Sequence, residues 1–473
     1  MELKVKDKVL GELEKIVGTD FVSTSPADLY IYSQDMTENE PSWPDFMVMP
    51  GSVEEVQAIL RLANKEKIPV VPYTAGGNIG GLTIPLKGGI VLDFKRMDRV
   101  IEFNEEDMYI VVEPGFTYGH MKRYLDQNCP DLTYNWAVAP PTSSVSSNAL
   151  LQGLGYMSPR IGLNQDNING LEVVLPTGEV VKIGSCAISP YWFNRAPLPD
   201  IAGLFIGWQG ATGVVTKISL QLWPTPKHTA TANYLTYDLG ATCRFMRKLA
   251  RAQIYEDNTM VTWGGMKGMM TAMFSEGKAS LEIVPGEPEC TMGIAITAYT
   301  EKELQAKIEI RDEIMKEAFK DTKFDIGQDR GFQIQNMRGT VDAYGGCSWA
   351  GMYGPLSNWE VSVPATYPIF DKYGFPRFVF CRPFRQGHLG QWRPIIVFDK
   401  GDAEEVERVR KCIRELYALG LDNGYIPYKA PQHAIELMME RADPNFVELL
   451  RRVKKMIDPS NIMNPGRYGA PKE

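Results

Sequence analysis

The chain has 473 residues, 44% hydrophobic and 23% charged, a composition that suits a globular protein of two or three domains and excludes a fibre, a disordered tail and a small disulfide scaffold. Against 50 Lys and Arg stand 58 Asp and Glu, a formal charge of −8, which repels a nucleic-acid backbone, so no nucleic-acid partner is expected. Apolar runs such as Ile90-Val91-Leu92 and Ile395-Ile396-Val397-Phe398 are strand-sized, far short of the roughly 20 residues of a spanning helix. Charges scattered from Met1 to Lys8 do not read as a secretory signal, so no membrane span and a cytoplasmic location are expected. Seven cysteines without a C-x-x-C pair suggest buried thiols and no metal site, iron–sulfur centre or disulfide framework.

In chain order, Ser52-Val53-Glu54-Glu55 predicts a capped helix with Val56, Ile59, Leu60 and Ala63 on one face, ending near Lys67. A buried strand, Ile68 to Pro72, then runs into the glycine-rich Tyr73-Thr74-Ala75-Gly76-Gly77-Asn78-Ile79-Gly80-Gly81. Strands are expected at 89–94, 100–103 and 109–115, and a helix from Thr117 with Tyr118, Met121 and Leu125 inward. In a dinucleotide Rossmann fold the glycine turn opens directly into a helix. Here it opens into strands, so a nicotinamide fingerprint is the weaker reading.

Residues 140–162 are dense in hydroxyls and glycines, the composition of a loop that binds polar ligands or caps helices. A hairpin about Pro176-Thr177-Gly178 follows. Gly207 to Ile218 closes a first domain, with Trp223-Pro224-Thr225-Pro226 as its exit linker. The stretch 227–424 reads as a second α+β domain whose last helix starts at Asp402, buries Val406, Val409, Ile413 and Leu416, and stops at Gly420. A tail helix over 445–457 places Phe446, Leu449, Leu450, Val453 and Ile457 at helical spacing before Asp458-Pro459 and Asn464-Pro465-Gly466-Arg467.

On its own the glycine loop is either a tight turn or a nest of backbone amides for anionic oxygens. Together with Val112-Glu113-Pro114-Gly115, the Ser/Thr-rich loop before Arg160-Ile161-Gly162, Gly210-Ala211-Thr212-Gly213-Val214-Val215 and the terminal Asn464 to Arg467, it resembles the vanillyl-alcohol oxidase and p-cresol methylhydroxylase superfamily of FAD enzymes, which includes 4-cresol dehydrogenase and glycolate oxidase and D-lactate dehydrogenase flavoprotein subunits. The resemblance implies an α+β fold. A two-subdomain FAD-binding domain of the p-cresol methylhydroxylase type (1–226) is completed by a C-terminal segment (425–473), and an α+β cap with an antiparallel sheet (227–424) lies over the flavin.

Carried over position by position, the resemblance assigns the FAD pyrophosphate to Pro72, Thr74, Ala75, Gly76, Gly77, Asn78, Ile79, Gly80 and Gly81. It assigns the ribityl chain and flavin to Pro140, Thr142, Ser143, Ser146, Asn148, Gly155 and Gly162, and the adenine end to Gly210, Gly213 and Val214. Arg467 would face the flavin; otherwise it is an exposed tail arginine. The branch's covalent tether has no counterpart in Asn358 to Ser362, so noncovalent FAD is expected.

Within that superfamily Tyr428-Lys429 stands where the cresol branch has Tyr-Arg, the pair that stabilises a phenolate while hydride leaves for flavin N5. The loop lacks that branch's phenol-binding tyrosine. The 2-hydroxy-acid branch has a Gly-His-x-Gly…His-Pro segment holding a metal; here Gly387-His388-Leu389-Gly390 continues to Arg393-Pro394, and a lone histidine makes no metal site. His388 is then a base or a core histidine. Arg377, Arg382, Arg385 and Arg393 would cluster round it, seating a carboxylate or lying on a solvated strand or subunit interface.

The resulting expectation is an FAD-dependent dehydrogenase of an activated C–H in a small alcohol or 4-alkylphenol, with Tyr428, Lys429, His388, Arg382 and Arg385 as catalytic candidates. A 2-hydroxy-acid dehydrogenase subunit and a flavin electron-transfer subunit are the alternatives. Electrons would pass to a separate protein or subunit, such as a cytochrome, an iron–sulfur protein or an electron-transfer flavoprotein, and the chain would form a homo-oligomer or hetero-complex.

Overall fold

Ser52 starts the helix Val53–Glu66 by accepting a hydrogen bond from the Glu55 amide, and Val56, Ile59, Leu60 and Ala63 are buried along it as the periodicity dictates. This helix carries the chain from strand Phe46–Val48 to strand Val70–Tyr73, and both pair in parallel with Ile90–Asp93. Parallel neighbours need such a crossover. Val22–Ser23 completes a four-stranded sheet. The computed structural model describes residues 3–77, 80–274, 283–327 and 345–469.

A second sheet of five antiparallel strands follows in the order Val100–Asn104, Tyr109–Val112, Val214–Gln221, Ile168–Val174, Val180–Gly184. The helix Tyr118–Asn128, capped by Thr117, buries Tyr118, Met121 and Leu125 against it. The exit segment is not free: Trp223–Pro224 pairs with Leu132–Thr133 as a short strand.

The C-terminal tail returns to the first sheet. The Val70 amide donates to Ile462 O at 2.7 Å and the Asn464 amide to Val70 O at 2.8 Å, so residues almost four hundred positions apart share one sheet edge. The preceding helix, Pro444–Ile457, leaves Phe446 and Leu449 49% and 57% exposed, against the apolar face expected of them. Its anchor is Lys454, buried at 3% exposure. The Lys454 ammonium donates to Ala211 O, Met463 O and Asp458, and these three acceptors compensate its desolvation.

Between these parts lies an antiparallel cap sheet of nine strands among the described residues. Its central strands are Asp257–Thr262, Val379–Phe384, Leu389–Asp399 and Met352–Gly354, and the short Ile426–Pro427 joins its edge. Trp392 and Trp359 are fully buried in the core shared with the helices Leu239–Ala252 and Ala403–Asp422. The second of these helices runs past Gly420 to Asp422. Gly420 is internal because Met352 packs on it: a Cβ there would stand 2.1 Å from Met352 Sδ. The opposite face of the sheet positions the site.

Candidate functional site

Two close approaches shape the glycine loop. Tyr73, at the end of its strand, is buried and packs edge-on against Tyr32, whose hydroxyl donates to the fully buried Asp93 at 2.7 Å. Burial pushes the Tyr73 phenol up to about 12, so it stays protonated. Gly76, at φ +63°, passes so near Tyr73 that a Cβ would lie 2.1 Å from its hydroxyl oxygen; conformation and contact both require glycine. Gly80, at φ +150°, backs onto Lys429 O, 2.4 Å from where its Cβ would be.

The far side of the loop is fastened twice. The Gly81 amide donates to Asp35 at 2.7 Å and Arg467 Nη2 donates to Gly81 O at 2.6 Å. Arg467 is therefore neither an exposed tail residue nor a lining group: it is buried behind the loop, and desolvation, opposed by Asp35, pushes its guanidinium down to about 10. Asn78 and Ile79 lie outside the described residues.

The loop forms one wall of a cleft with about 1090 Å³ of empty space, open solvent at its mouth included. Pro72, Thr74, Ala75, Gly76 and Gly77 face Ser143, Ser146 and Asn148 on a second wall and Gly210, Gly213 and Val214 on a third, with Lys429 reaching in from the C-terminal segment. Ser144 orders the second wall by capping the helix Val145–Leu150 and donating to Pro114 O at 2.7 Å. Thr74 ties the first to the second by donating to Ser147 Oγ at 3.2 Å.

Other expected contacts lie outside the lining. Thr142 is exposed, and Pro140 closes a turn by accepting from the Ser143 amide. The Gly155 amide donates to Ser158 Oγ at 2.8 Å, and Gly162 ends the helix Ser158–Ile161.

The lining fits a bound cofactor on a specific observation. Gln209, in the cleft wall, donates through Nε2 to Ala430 O at 3.1 Å, while its Oε1 is buried without a hydrogen-bond partner among the described residues. Leaving such an acceptor unmade is costly, and a ligand carrying donors satisfies it. The motif containing Gly210 already flagged this neighbourhood, but a glutamine beside a glycine carries no signal of its own.

Above the cleft, the rings of Tyr428 and Tyr353 stack with centroids 4.1 Å apart and planes 12° apart. Tyr353 donates to Gln152 O at 2.9 Å, joining the cap to the first half of the chain. Gln391 Nε2 donates to the Tyr428 oxygen at 2.9 Å, which leaves the tyrosine's own proton to point elsewhere. Leu154, Leu163 and Phe384 close round this pair. Lys429, half-buried at φ +49°, has no carboxylate or hydrogen-bond partner among the described residues. Its ammonium is pushed down to about 8, chiefly by burial and then by the Arg393 charge.

The expected arginine cluster about His388 does not form. Arg382, 1% exposed, pairs with Asp257 at 2.6 Å and donates to Tyr156 O at 3.2 Å. Arg377 is bidentate to Asp371 at 2.9 and 2.7 Å. Arg385 and His388 are both exposed in the turn between two cap strands, whereas Tyr428 is buried. Arg393 lies between the Trp349 and Phe380 rings, 4.6 and 4.5 Å from their centroids. The pleat and the turn separate residues that the sequence places close together.

The profile of the FAD binding domain family matches residues 44–184, and that of the FAD linked oxidases, C-terminal domain, matches residues 225–468, more than half of the chain. A glycolate oxidase subunit of Bacillus subtilis is 26% identical, over 98% of this chain and 97% of its own length. The 4-cresol dehydrogenase [hydroxylating] flavoprotein subunit of Pseudomonas putida is 23% identical, over 98% and 95%. The solved structure of p-cresol methylhydroxylase with substrate bound superposes with a TM-score of 0.88 at 21% identity, covering 99% of this chain and 98% of that one.

Proposed function

Because the chain belongs to the FAD-linked oxidases and is an oxidoreductase with a FAD-binding domain, we propose that it is a dehydrogenase. Its donor is an activated C–H of a small alcohol or 4-alkylphenol, and the electrons leave to a separate acceptor. The observation that carries this reading is Tyr428, oriented by Gln391 and followed directly by Lys429, a cation at the edge of the cleft with no carboxylate or hydrogen-bond partner among the described residues.

Thr74 to Gly77, Ser143, Ser146, Asn148, Gln209 and Gly210 would hold FAD, which when bound supplies the two-electron acceptor. The chain's own part is electrostatic. Tyr428 holds its proton toward the donor's oxygen, and Lys429 stabilises negative charge developing on that oxygen. The apolar packing of Leu154, Leu163 and Phe384 about Tyr428 keeps water away, which strengthens both interactions. His388, exposed in its turn, is not the base in this scheme. A separate acceptor agrees with the Pseudomonas putida relative, which is a flavoprotein subunit.

The second reading, a 2-hydroxy-acid dehydrogenase, is favoured by one observation: Lys429 and Arg393 are both cations without an ion-pair partner among the described residues. Tyr428→Phe tests the main reading. It is expected to slow flavin reduction by the donor about a hundredfold or more while the FAD content is unchanged; an unchanged reduction rate removes Tyr428 from the mechanism.

A further inference from the structure

Arg393 presents a guanidinium packed against two aromatic rings. The rings of Trp349 and Phe380 lie on it at 4.6 and 4.5 Å, and its Nε is buried without a hydrogen-bond partner among the described residues. It forms no ion pair among the described residues. A planar fork of donors fixed between two rings is preorganised for a planar anion and loses little freedom on binding one.

Its orientation is set by the sheet. Phe380 stands opposite Arg393, and Arg382 opposite Gln391, on the neighbouring strand. Residues two apart on a strand share a face, so Arg393 shares its face with Gln391, the residue that holds Tyr428. Trp392 between them points to the helical side and is fully buried there. The Arg393 charge is felt by both Lys429 and Tyr353, which places it over the same compartment. A further cation on the same face, Arg382, is already neutralised by Asp257. The compartment thus presents two cations without an ion-pair partner among the described residues: Lys429, next to Tyr428 in the chain, and Arg393, two strand residues, roughly 7 Å, along from the Gln391 that holds Tyr428.

We infer that Arg393 seats a carboxylate borne by the substrate at the end remote from its reacting oxygen, so that the donor is an aryl carboxylate: a flat ring with an oxygen at Tyr428 and Lys429 and a carboxylate on the Arg393 fork. A neutral alkylphenol uses only the first of the two cations. This assignment rests on the reading of Tyr428 and Lys429 as the holders of the reacting oxygen, and it narrows that reading to one substrate class.

The test is calorimetric binding to the FAD-loaded protein with two probes that have no oxidisable side chain, 4-hydroxybenzoate and its neutral isostere 4-hydroxybenzamide. The wild-type protein is expected to bind the carboxylate about tenfold or more tighter than the amide, the scale of one charge-assisted hydrogen-bonded pair. Arg393→Gln is expected to erase that preference, and Arg393→Lys, which keeps the charge and the folded site, to retain part of it. Equal binding of the two probes by the wild-type protein, or a preference that survives in Arg393→Gln, overturns the assignment. If 4-alkylphenols bleach the flavin while no carboxylate preference exists, the seat fails and the dehydrogenase reading stands. If the preference depends on Arg393 while no donor bleaches the flavin, the seat stands and the dehydrogenase reading fails.

Discussion

Gly80 lies against the carbonyl of Lys429, so close that a Cβ on the glycine would stand 2.4 Å from that oxygen. The glycine loop and the residue whose cation faces the cleft are thereby one unit: neither moves without the other. Gly80→Ala is expected to displace both, at a cost of about 1–3 kcal/mol for overpacking. FAD affinity should fall about tenfold or more, the equivalent of 1.4 kcal/mol, with slower flavin reduction in the fraction still loaded. Fluorescence titration of the apoprotein with FAD checks this, and unchanged affinity would show that the loop gives way without cost.

Lys429 predicts a pH dependence whose sign follows from its environment. Burial holds it near 8 against an ordinary 10.5, so its charge is lost as pH rises through about 8. Flavin reduction should therefore decline above that pH, and Lys429→Arg, protonated throughout, should flatten the decline. For the apoprotein, the folded chain binds fewer protons than the unfolded one between about 8 and 10.5, so this group makes stability rise with pH across that window. Rapid-reaction kinetics and denaturant titrations from pH 7 to 10 read the two effects separately.

Arg382 is expected to behave as a structural pair rather than a substrate contact. Arg382→Gln leaves Asp257 without its 2.6 Å partner beneath the sheet, a loss of about 3–5 kcal/mol by the usual cost of breaking a buried pair. Combining it with Asp257→Asn should recover much of that loss. Chemical denaturation of the single and double variants decides the matter, since a substrate contact would alter KM without moving the midpoint.

The flavin is expected to be released on acid precipitation, leaving a colourless pellet. Tyr353 is occupied by its stack on Tyr428 and its bond to Gln152. In the following segment, Asn358 bonds Asn423 O and Ser362 bonds Tyr425, and no tyrosine or histidine there is free to tether the ring. A yellow pellet would contradict this.

The elements that position the cleft were legible because they rest on local chemistry. Ser52 and Thr117 cap the helices that their spacing predicts, and the walls made by Thr74 to Gly77, Ser143 to Asn148 and Gly210 to Val214 come from three glycine- or serine-rich motifs that meet in space. What depends on long-range packing was not legible. Arg377, Arg382, Arg385 and Arg393 look alike as a sequence cluster, yet strand pleat and turn send them to four different environments. The exposure of Phe446 and Leu449, and the burial of Lys454, invert the helical pattern because Ala211 and Met463 supply carbonyl partners to Lys454 that no periodicity reveals.

Hydride transfer from a 4-alkylphenol-type donor is read in the visible spectrum of the purified protein, recorded anaerobically before and after addition of a 4-alkylphenol or benzylic alcohol and then of 2-hydroxy acids. A flavin band that the first class bleaches is the expected result. A band that only 2-hydroxy acids bleach would contradict the substrate proposed here, and a band that no donor bleaches would contradict the dehydrogenase itself.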